Sequence, residues 1–536
     1  MASLNARAPH RLLLVLSLSL LVVTNAHPAT PAHQAGTTTG LISAGLLSTL
    51  RETLDAIRGV ASIISSFPIG GILGGGDLRL SSAVADCLDL LDLSSDELSW
   101  SMSSSTATTS SSVSGARLGT GDAPSDLRSW LSGALGNQDT CKEGLDATGS
   151  PLASLVATGL DAVTSLLSDG LGQVAAETSR ASSSRRGLAS APRWLRARDR
   201  RLLQAPVAGP GGMAVNAVVA KDGTGDFTTV SAAVEAAPAE SAARWVIYVK
   251  RGVYKETVEV KKKKWNLMLV GDGAGATVIT GHRNYVDGYT TYRSATVAVN
   301  GKGFMARDLT FANTAGPSKH QAVALRCDSD LSVFYRCAFE GYQDTLYAHS
   351  LRQFYRDCRV SGTVDFVFGN AAAVFQNCTL LARLPLPEQK NSVTAQGRLD
   401  ANMTTGFAFQ FCNVSAADDL LRAAAAAGNN GTSTQTYLGR PWKRYSRVVF
   451  MQSWIGGVVR PEGWLAWDGE FALHTLYYGE YMNTGPGAGV AGRVGWPGFH
   501  VMNSAAEAGN FTVAQFIEGN MWLPTTGVKF TAGLTS

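Results

Sequence analysis

The sequence predicts an all-β C-terminal part, folded as a parallel β-helix, and a small all-α helical bundle before it. Gln321, Gln343 and Asp365 follow one another at intervals of 22 residues. That interval fits one coil of three strands of roughly 4–5 residues plus their turns. A short phrase that ends in cysteine recurs at nearly the same interval, at residues 333–337, 353–358 and 374–378. The N-terminal part is instead rich in Leu, Ala and Ser, with apolar residues at helical spacing.

The first predicted element is a secretory signal peptide over residues 1–26. Arg7 and Arg11 precede an apolar run over 12–23, and small residues at 24–26 suit a cleavage site. The run is too short to cross a bilayer comfortably, and no later stretch is judged long and apolar enough to do so. We therefore expect a secreted protein without a stable membrane span.

An α-helical domain is predicted over residues 36–185. Its first helix follows from apolar residues at helical spacing, namely Leu41, Leu46, Leu47, Leu50, Leu54 and Ile57. Further helices are expected over 79–95, 125–134 and 151–180. A Ser/Thr/Gly-rich stretch over 101–115 predicts a flexible loop. Cys87 and Cys141 are candidates for a cross-link between two helices of the bundle.

A linker is predicted over residues 186–213. Its basic pairs, Arg185–Arg186 and Arg200–Arg201, are natural sites for a processing protease. A charged linker that is not cut is the alternative interpretation. The β-helix domain then covers residues 214–523, with a sandwich of evenly spaced hairpins as the rival fold.

The recurring phrase also predicts how the coils stack. Its phenylalanines, Phe334, Phe354 and Phe375, lie 20 and 21 residues apart. We expect them to form a buried aromatic ladder, because each coil of a solenoid must bury its apolar face on its neighbours.

The chain has seven cysteines, and export to an oxidising compartment favours disulfides with one thiol left over. Cys337 with Cys358, or Cys378 with Cys412, are candidate pairs in the β-helix. The Asn-x-Ser/Thr sequons, which agree with a secretory route, are at Asn377, Asn402, Asn413, Asn430 and Asn510. The net charge of +4 permits attraction to an acidic polymer, whereas no nucleic-acid-binding motif is present.

Five motifs, in order, resemble the signature set of plant pectinesterases (pectin methylesterases). They are Gly-Val-Tyr-Lys-Glu at 252–256, Gln-Ala-Val-Ala-Leu at 321–325, Gly-Tyr-Gln-Asp-Thr-Leu-Tyr at 341–347, Gly-Thr-Val-Asp-Phe-Val-Phe-Gly at 362–369 and Leu-Gly-Arg-Pro-Trp at 438–442. The helical half resembles the pectin methylesterase inhibitor domain, although the N-terminal cysteine pair usual there is absent. Arg-Arg-Leu-Leu at 200–203 matches the family's processing motif.

This resemblance implies a right-handed parallel β-helix with a shallow cleft. It also implies hydrolysis of the methyl esters of homogalacturonan to pectate and methanol in the cell wall. The expected partners are pectin, a processing protease and the inhibitor-like domain itself, which is expected to contact the enzyme within the chain or in trans.

The residues suit this chemistry without a serine nucleophile, since no Gly-x-Ser-x-Gly elbow occurs. Asp365, if paired with Arg440, would stay ionised and attack the ester carbonyl, because a neighbouring Arg lowers a carboxylate pKa by about 1–3 units. Asp344 would hold its proton, give it to the departing methanol and later take one from water. Gln321 and Gln343 would aim amide N–H groups at the oxyanion. The family assigns these roles to the matching residues.

The resemblance further implies that Thr296, Gln321, Arg440 and Trp442 hold substrate. Tyr347, Phe368, Trp464 and Trp467 are candidate aromatics of the cleft. No Cys/His or carboxylate cluster has metal-ligand spacing, so no metal or other cofactor is expected.

Two other functions remain open. A polygalacturonan glycosidase also uses paired carboxylates, but its oxocarbenium-like transition state has no oxyanion for two amides to stabilise. A non-catalytic pectin-binding protein would not need the complete catalytic set. Methanol release against new reducing ends separates these interpretations.

Overall fold

The computed structural model describes residues 42–67, 77–106, 119–182, 214–427 and 434–535. The signal peptide predicted over 1–26, the basic pairs Arg185–Arg186 and Arg200–Arg201, and the sequon at Asn430 lie outside these ranges. Within the described residues a helical bundle precedes a parallel β-helix, which confirms the predicted fold class.

The helical bundle is built, among the described residues, from α1 (Ala44–Ser66), α2 (Leu78–Thr106), α3 (Ala123–Asp146) and α4 (Pro151–Ser182). The Oγ of Ser43 caps α1 by accepting a hydrogen bond from the Leu46 amide at 3.2 Å. Of the apolar residues that the spacing placed on one side of α1, Leu46, Leu50 and Ile57 are buried. A disulfide joins Cys87 in α2 to Cys141 in α3, the cross-link suggested by the sequence.

Helix α2 is longer than predicted, and the expected loop over 101–115 is wrong as far as Thr106. Residues 107–118 lie outside the described ranges. Ser101 and Ser103 each donate a side-chain hydrogen bond to the carbonyl four residues earlier, at 2.8 Å. Serine hydroxyls can therefore be satisfied inside a helix, which the composition argument left out.

Helix α4 is long and apolar, contrary to the expectation that no stretch after the signal peptide would suit a membrane span. Among the described residues it is the one helix whose length and composition would suit a membrane span, with a mean hydropathy of 1.3 over an 18-residue window within Pro151–Thr178. Its apolar side, however, is packed in the bundle on α1 and α3. The buried residues on that side include Leu152, Val156, Leu160, Val163, Leu167 and Leu171.

Three parallel sheets form the β-helix, and their strands alternate along the chain. The first sheet contains β1 (Ala217–Val219), β2 (Trp245–Val249), β5 (Leu267–Val270), β8 (Met305–Arg307), β11 (Ser332–Tyr335), β14 (Arg352–Arg356), β17 (Ala372–Gln376), β21 (Gly406–Gln410), β25 (Arg447–Met451), β27 (Tyr477–Tyr481) and β28 (Phe499–Val501). The second contains β3 (Gly252–Lys255), β6 (Thr277–Gly281), β9 (Thr310–Asn313), β12 (Ala338–Glu340), β15 (Arg359–Gly362), β18 (Thr379–Ala382), β22 (Asn413–Ala416) and β26 (Trp454–Ile455).

The third sheet is called the cleft sheet below. It contains β4 (Val258–Val260), β7 (Val297–Val299), β10 (Leu325–Cys327), β13 (Leu346–Ala348), β16 (Val367–Gly369), β20 (Thr394–Gln396) and β24 (Arg440–Pro441), in that spatial order. A separate two-stranded sheet pairs β19 (Asn391–Ser392) with β23 (Thr436–Tyr437). Short helices accompany the coils: α5 (Val230–Ala236), α6 (Asp418–Ala427), α7 (Ala505–Gly509), α8 (Val513–Phe516) and α9 (Gly519–Thr526).

An aromatic ladder runs through the core, as predicted, but one member differs. Phe334, Tyr355, Phe375, Phe409 and Phe450 stack one coil apart, with ring centroids 4.8, 4.4, 4.6 and 4.5 Å from each other. Strand register pairs each of them with the next. The ladder gives the interior of the solenoid a continuous apolar spine.

The expectation that Phe354 belongs to this ladder was wrong. Phe354 pairs with Val333, faces the opposite side of the first sheet and packs edge-on against Phe530 at 6.4 Å. Successive strand residues point to opposite faces, so a shift of one residue moves a side chain out of the core. Counting back three residues from the cysteine would have selected Tyr355.

The helical bundle packs on the outward face of the cleft sheet. One row of side chains crosses this face in register, and it comprises Glu259, Ala298, Arg326, Tyr347, Phe368, Ala395 and Arg440. Tyr347, Phe368 and Ala395 share one buried apolar cluster with the helices. The bundle and the cleft sheet therefore have a common core.

Candidate active site

Two aspartates stand at equivalent turns, directly before neighbouring strands of the cleft sheet. Asp344 precedes β13 and Asp365 precedes β16, with the Asp344 amide bonded to the Val364 carbonyl at 3.1 Å. Their φ angles are 61° and 53°. Asp tolerates this left-handed conformation better than most residues, which fits its use in so tight a turn. The repeat thus brings the two carboxylates together, as predicted.

Arg440 holds the carboxylate of Asp365 through two parallel hydrogen bonds. Nε donates to Oδ1 at 2.8 Å and Nη2 to Oδ2 at 2.6 Å. This fork geometry is the strong form of an Arg–carboxylate contact. Arg440 is not part of the 22-residue repeat. It lies on β24 in a later coil, and the pairing of β24 with β20 places it near Asp365.

The two carboxyl groups differ in their surroundings. Burial raises the pKa of Asp344 well above its ordinary value, and the neighbouring Asp365 carboxylate raises it further. Burial also raises the pKa of Asp365, but the hydrogen bonds and the charge of Arg440, together with Ser392, act to lower it. The pKa of Asp365 therefore reflects burial as well as the guanidinium, and burial is not visible in the sequence. The predicted order of the two pKa values, with that of Asp365 below that of Asp344, is kept, because only Asp365 has a direct cationic partner.

Gln321 and Gln343 lie one coil apart beside this pair. Their main chains are connected by a hydrogen bond from the Ala322 amide to the Gln343 carbonyl at 3.2 Å. Both side chains are half-buried, and within the described residues neither amide has a hydrogen-bond partner. Two unengaged amides next to two carboxyl groups are suited to receive an oxygen that gains negative charge.

Aromatic side chains line the face next to the carboxylates. Tyr347 stacks on Phe368 with centroids 4.1 Å apart, and Trp442 is tilted against them at 6.4 and 6.0 Å. Trp467 is 37% exposed and lies under the Arg440 guanidinium at 4.3 Å. Trp464 is not in the cleft: it stacks on Tyr478 in the β-helix core.

Thr296 was expected to hold substrate, but its hydroxyl points elsewhere. The side chain is 1% exposed and donates a hydrogen bond to the Ala312 carbonyl at 3.0 Å. It also packs close to Gly281, where an added Cβ would approach the Thr296 Oγ1 to 2.9 Å. In this structure Thr296 fastens β7 to the neighbouring sheet.

The β-helix cysteines are buried thiols, and the candidate pairs Cys337–Cys358 and Cys378–Cys412 are not formed in this structure. Their thiols instead contact main-chain carbonyls of neighbouring coils, such as Cys412 with Phe375 at 3.3 Å. Equivalent repeat positions stack the four residues, which is the feature that the sequence showed.

Some contacts near the site carried no sequence signal. The guanidinium of Arg383 lies 3.9 Å from the Tyr342 ring, next to Gln343, and is held by Asp419 at 3.1 Å. His349 pairs through Nδ1 with Asp328. These contacts join residues from different coils or from an inserted helix, so no local motif predicts them.

Among the described residues, no group of three or more His, Cys, Asp or Glu side chains could hold a metal ion.

Helices α2 and α3 cover the cleft sheet with acidic pairs. Asp86 and Asp89 bind Arg293, the latter at 2.7 Å, and His349 contacts the Thr140 hydroxyl at 2.9 Å. Lys443, one residue after Trp442, is bound by acids of α3. The helices therefore occupy the face on which the aromatic residues lie.

Comparisons with known proteins agree with this geometry. A family model described as pectinesterase matches residues 216–520. A second, described as plant invertase/pectin methylesterase inhibitor, matches residues 22–172.

The chain is similar to a pectinesterase/pectinesterase inhibitor of Prunus persica, with 58% identity over 90% of this chain and 88% of that protein. It is also similar to a probable pectinesterase/pectinesterase inhibitor of Arabidopsis thaliana, with 53% identity over 91% of this chain and 90% of that protein. Among solved structures, a pectin methylesterase from carrot is 56% identical, with a TM-score of 0.58. The match covers 60% of this chain and 98% of the carrot chain.

Proposed function

The chain belongs to the pectinesterase family of carboxylic ester hydrolases, and from this premise we propose that it hydrolyses the methyl esters of homogalacturonan to pectate and methanol. The observation that carries the proposal is the pair of carboxyl groups with opposed environments. Asp365 is held by Arg440, while Asp344 is buried beside it without a cation of its own.

Asp365 is the proposed nucleophile. Its ionised oxygen attacks the ester carbonyl carbon and forms a tetrahedral intermediate. Collapse of this intermediate breaks the bond to the methoxy oxygen, and Asp344 supplies the proton with which methanol leaves. The bidentate contact with Arg440 supports this role, since it favours the ionised form and fixes the orientation of the carboxylate.

Hydrolysis of the acyl-enzyme completes the cycle. Asp344, now ionised, takes a proton from water, and the resulting hydroxide attacks the acyl carbon and releases Asp365. The raised pKa of Asp344 supports its role as an acid that is still protonated when methanol departs. Gln321 and Gln343 stabilise the oxyanion in both steps through their amide N–H groups.

Substrate is held next to these groups by Arg440 and Trp442, with Tyr347, Phe368 and Trp467 as further stacking surfaces. The contacts of these aromatic residues with each other and with Arg440 support this assignment. We assign Thr296 a structural role next to β7 and not a direct contact with substrate, because its hydroxyl is hydrogen-bonded inside the fold.

The helical domain is proposed to restrain the enzyme until it is removed. Tyr347 and Phe368 share a buried cluster with α2, α3 and α4, so a polysaccharide cannot reach them while the helices are docked. Removal of the signal peptide over 1–26, and cleavage at Arg185–Arg186 or Arg200–Arg201, would release an enzyme in the cell wall. The predicted domains are then 36–185 and 214–523.

Methanol release from highly methylated pectin by residues 205–536 tests the proposal. We expect release by this part and a loss of about 10³-fold or more in the Asp365→Asn variant. Asp357→Asn is the matched control, because Asp357 also occupies a left-handed turn, with φ of 55°, but binds Arg356 and Asn377 instead. A well-folded part that releases no methanol contradicts esterase function. New reducing ends would indicate a glycosidase, and binding without turnover a pectin-binding protein.

A further inference from the structure

Three cations on the β-helix are each bound by two acidic residues of the helical domain. Lys262 contacts Asp92 and Asp96 at 2.7 and 2.8 Å. The spacing of the two acids places them on one side of α2. The lysine is thereby held by two carboxylates at once.

The same arrangement recurs twice. Arg293 binds Asp86 and Asp89 of α2 at 2.6 and 2.7 Å. Lys443 binds Asp139 and Glu143 of α3, at 2.7 and 2.5 Å. These three cations are called the basic track below.

The basic track extends across the cleft sheet. Lys262 follows β4 and Lys443 follows β24, which are the two edge strands of that sheet, and Arg293 lies just before β7. Six strand spacings of about 4.8 Å separate the edges by roughly 29 Å. Asp344 and Asp365 precede β13 and β16, between these edges. These two carboxylates lie at the same strand ends as Arg293, whereas Lys262 and Lys443 lie at the opposite ends of their strands. A chain that passes the reactive carboxylates would therefore meet Arg293 along that side of the sheet and reach either lysine by crossing the strands obliquely.

The track differs in its ion-pair partners from Arg440 and Arg326, two other cations near the cleft sheet. Arg440 is bound by Asp365 and Arg326 by Asp328, so both carry a carboxylate of their own domain. Every ion pair that Lys262, Arg293 and Lys443 make within the described residues is instead to the helices. Removal of the helices leaves three cations on the cleft face without a carboxylate.

We propose that the basic track binds the free carboxylates of de-esterified galacturonate residues, and that the acidic pairs of α2 and α3 occupy their places in the unprocessed chain. The inference rests on the proposed function and deepens it. A methyl-esterified residue is neutral and suits the reaction centre, whereas its de-esterified neighbours are anionic and suit the cations. The helical domain then blocks the cleft by imitating the charge of the product polymer as well as by covering the aromatics.

The β-helix alone is suitable for the test. Its main core cluster contains residues from Ala217 to Tyr478 and none from the four helices α1–α4 of the helical domain. The carrot protein, 98% of which is covered by 60% of this chain, shows that a chain of that extent folds by itself. Binding of a fully de-esterified oligogalacturonate to residues 205–536, measured by calorimetry, isolates recognition from turnover because this ligand carries no ester.

We expect K262Q, R293Q and K443Q each to weaken oligogalacturonate binding by about fivefold, and the triple variant by about 100-fold. K262R, R293K and K443R keep the charge and are expected to keep most of the affinity. R359Q is the matched control, because Arg359 pairs with Glu340 on the second sheet. Added salt should weaken binding by the unchanged protein more than by the triple variant.

The triple variant overturns the proposal if it is folded, as judged by an unchanged melting temperature, and still binds oligogalacturonate as tightly as the unchanged protein. A second measurement uses the full chain, in which docked acids should make binding at least tenfold weaker. Equal binding of oligogalacturonate by the full chain and by residues 205–536 would contradict the proposal that acids of α2 and α3 take the places of substrate carboxylates. Methanol release from methylated pectin tests only the proposed esterase function. Its failure would leave the result of the oligogalacturonate binding test unaffected.

Discussion

Arg440 donates two hydrogen bonds to Asp365, at 2.8 and 2.6 Å, although their positions in the sequence are far apart. The pair joins a turn before β16 to the edge strand β24, across the intervening β20. Burial alone would favour the neutral carboxyl group, and the guanidinium opposes it most, with a smaller contribution from the Ser392 hydrogen bond. The protonation state of the proposed nucleophile therefore depends mainly on one cation.

Loss of that cation should move the pH dependence of the esterase. Arg440 lowers the pKa of Asp365, so Arg440→Gln should raise this pKa and shift the acid limb of the kcat/KM profile to higher pH. The profile is measured by methanol release from residues 205–536. Arg336→Gln is the control, because Arg336 forms a similar fork with Asp308, at 2.6 and 2.7 Å, away from the cleft sheet. An unshifted limb would show that the ionisation of Asp365 in the free enzyme does not set the acid limb of the kcat/KM profile.

The two glutamines should act on the transition state more than on substrate binding. Gln321→Ala and Gln343→Ala each remove one amide donor, and we expect kcat to fall by about 10²–10³-fold with a smaller change in KM. Gln515→Ala, on the exposed side of α8, is the control. A rise in KM with kcat unchanged would assign the amides to ground-state binding.

The contact between helices and β-helix should weaken as pH rises. Glu97 of α2 is buried at this contact, near Asp328, Asp330 and Asp96, and burial followed by these carboxylates raises its pKa well above its ordinary value. A carboxyl group with a raised pKa stabilises the folded state below its unfolded pKa, and this stability is lost as pH rises through the raised value.

Hydrogen exchange of α2 in the full chain, compared between mildly acidic and mildly alkaline pH, measures this loss. Glu97→Gln keeps the hydrogen-bonding shape of the neutral acid and should reduce the pH dependence. Glu52→Gln on α1, where Glu52 is exposed, should leave the pH dependence of hydrogen exchange unchanged. Protection that grows with pH would contradict the assignment.

The disulfide between Cys87 and Cys141 should stabilise the bundle and not the β-helix. It closes a loop with a sequence separation of 54, for which the chain-entropy model gives about 4 kcal/mol. The paired Cys87→Ser and Cys141→Ser variant should lower the free energy of unfolding of the helices by about that amount. Denaturant unfolding of the full chain, followed by the helical circular dichroism signal, measures it, and the β-sheet signal of the same full chain provides the reference. An equal loss in both signals would show that the two parts unfold as one.

Much of the β-helix could be predicted because each coil repeats one pattern. The 22-residue interval placed Asp344, Asp365, Gln321 and Gln343 on one patch without any knowledge of their partners. The interval is reliable where coils are short. It fails at Phe354, where the strand carries an additional aromatic residue and only the distance to the following cysteine decides which one is buried.

The residues that bind these side chains could not be predicted from the repeat. Arg440 lies beyond a coil lengthened by helix α6, so no fixed interval connects it to Asp365. The acids of α2 and α3 have the spacing of an ordinary solvated helix face. Their function at a contact appears only when Lys262, Arg293 and Lys443 are placed opposite them by the fold.

The position of the helices on the cleft sheet has a further consequence, because both parts belong to one polypeptide. A tether of moderate length keeps its two ends at an effective concentration on the order of millimolar, so even a weak contact stays closed. A single cut in residues 183–213 would turn this unimolecular equilibrium into a bimolecular one. Dilution in a large volume, without any change at the contact itself, would then suffice to separate the two parts.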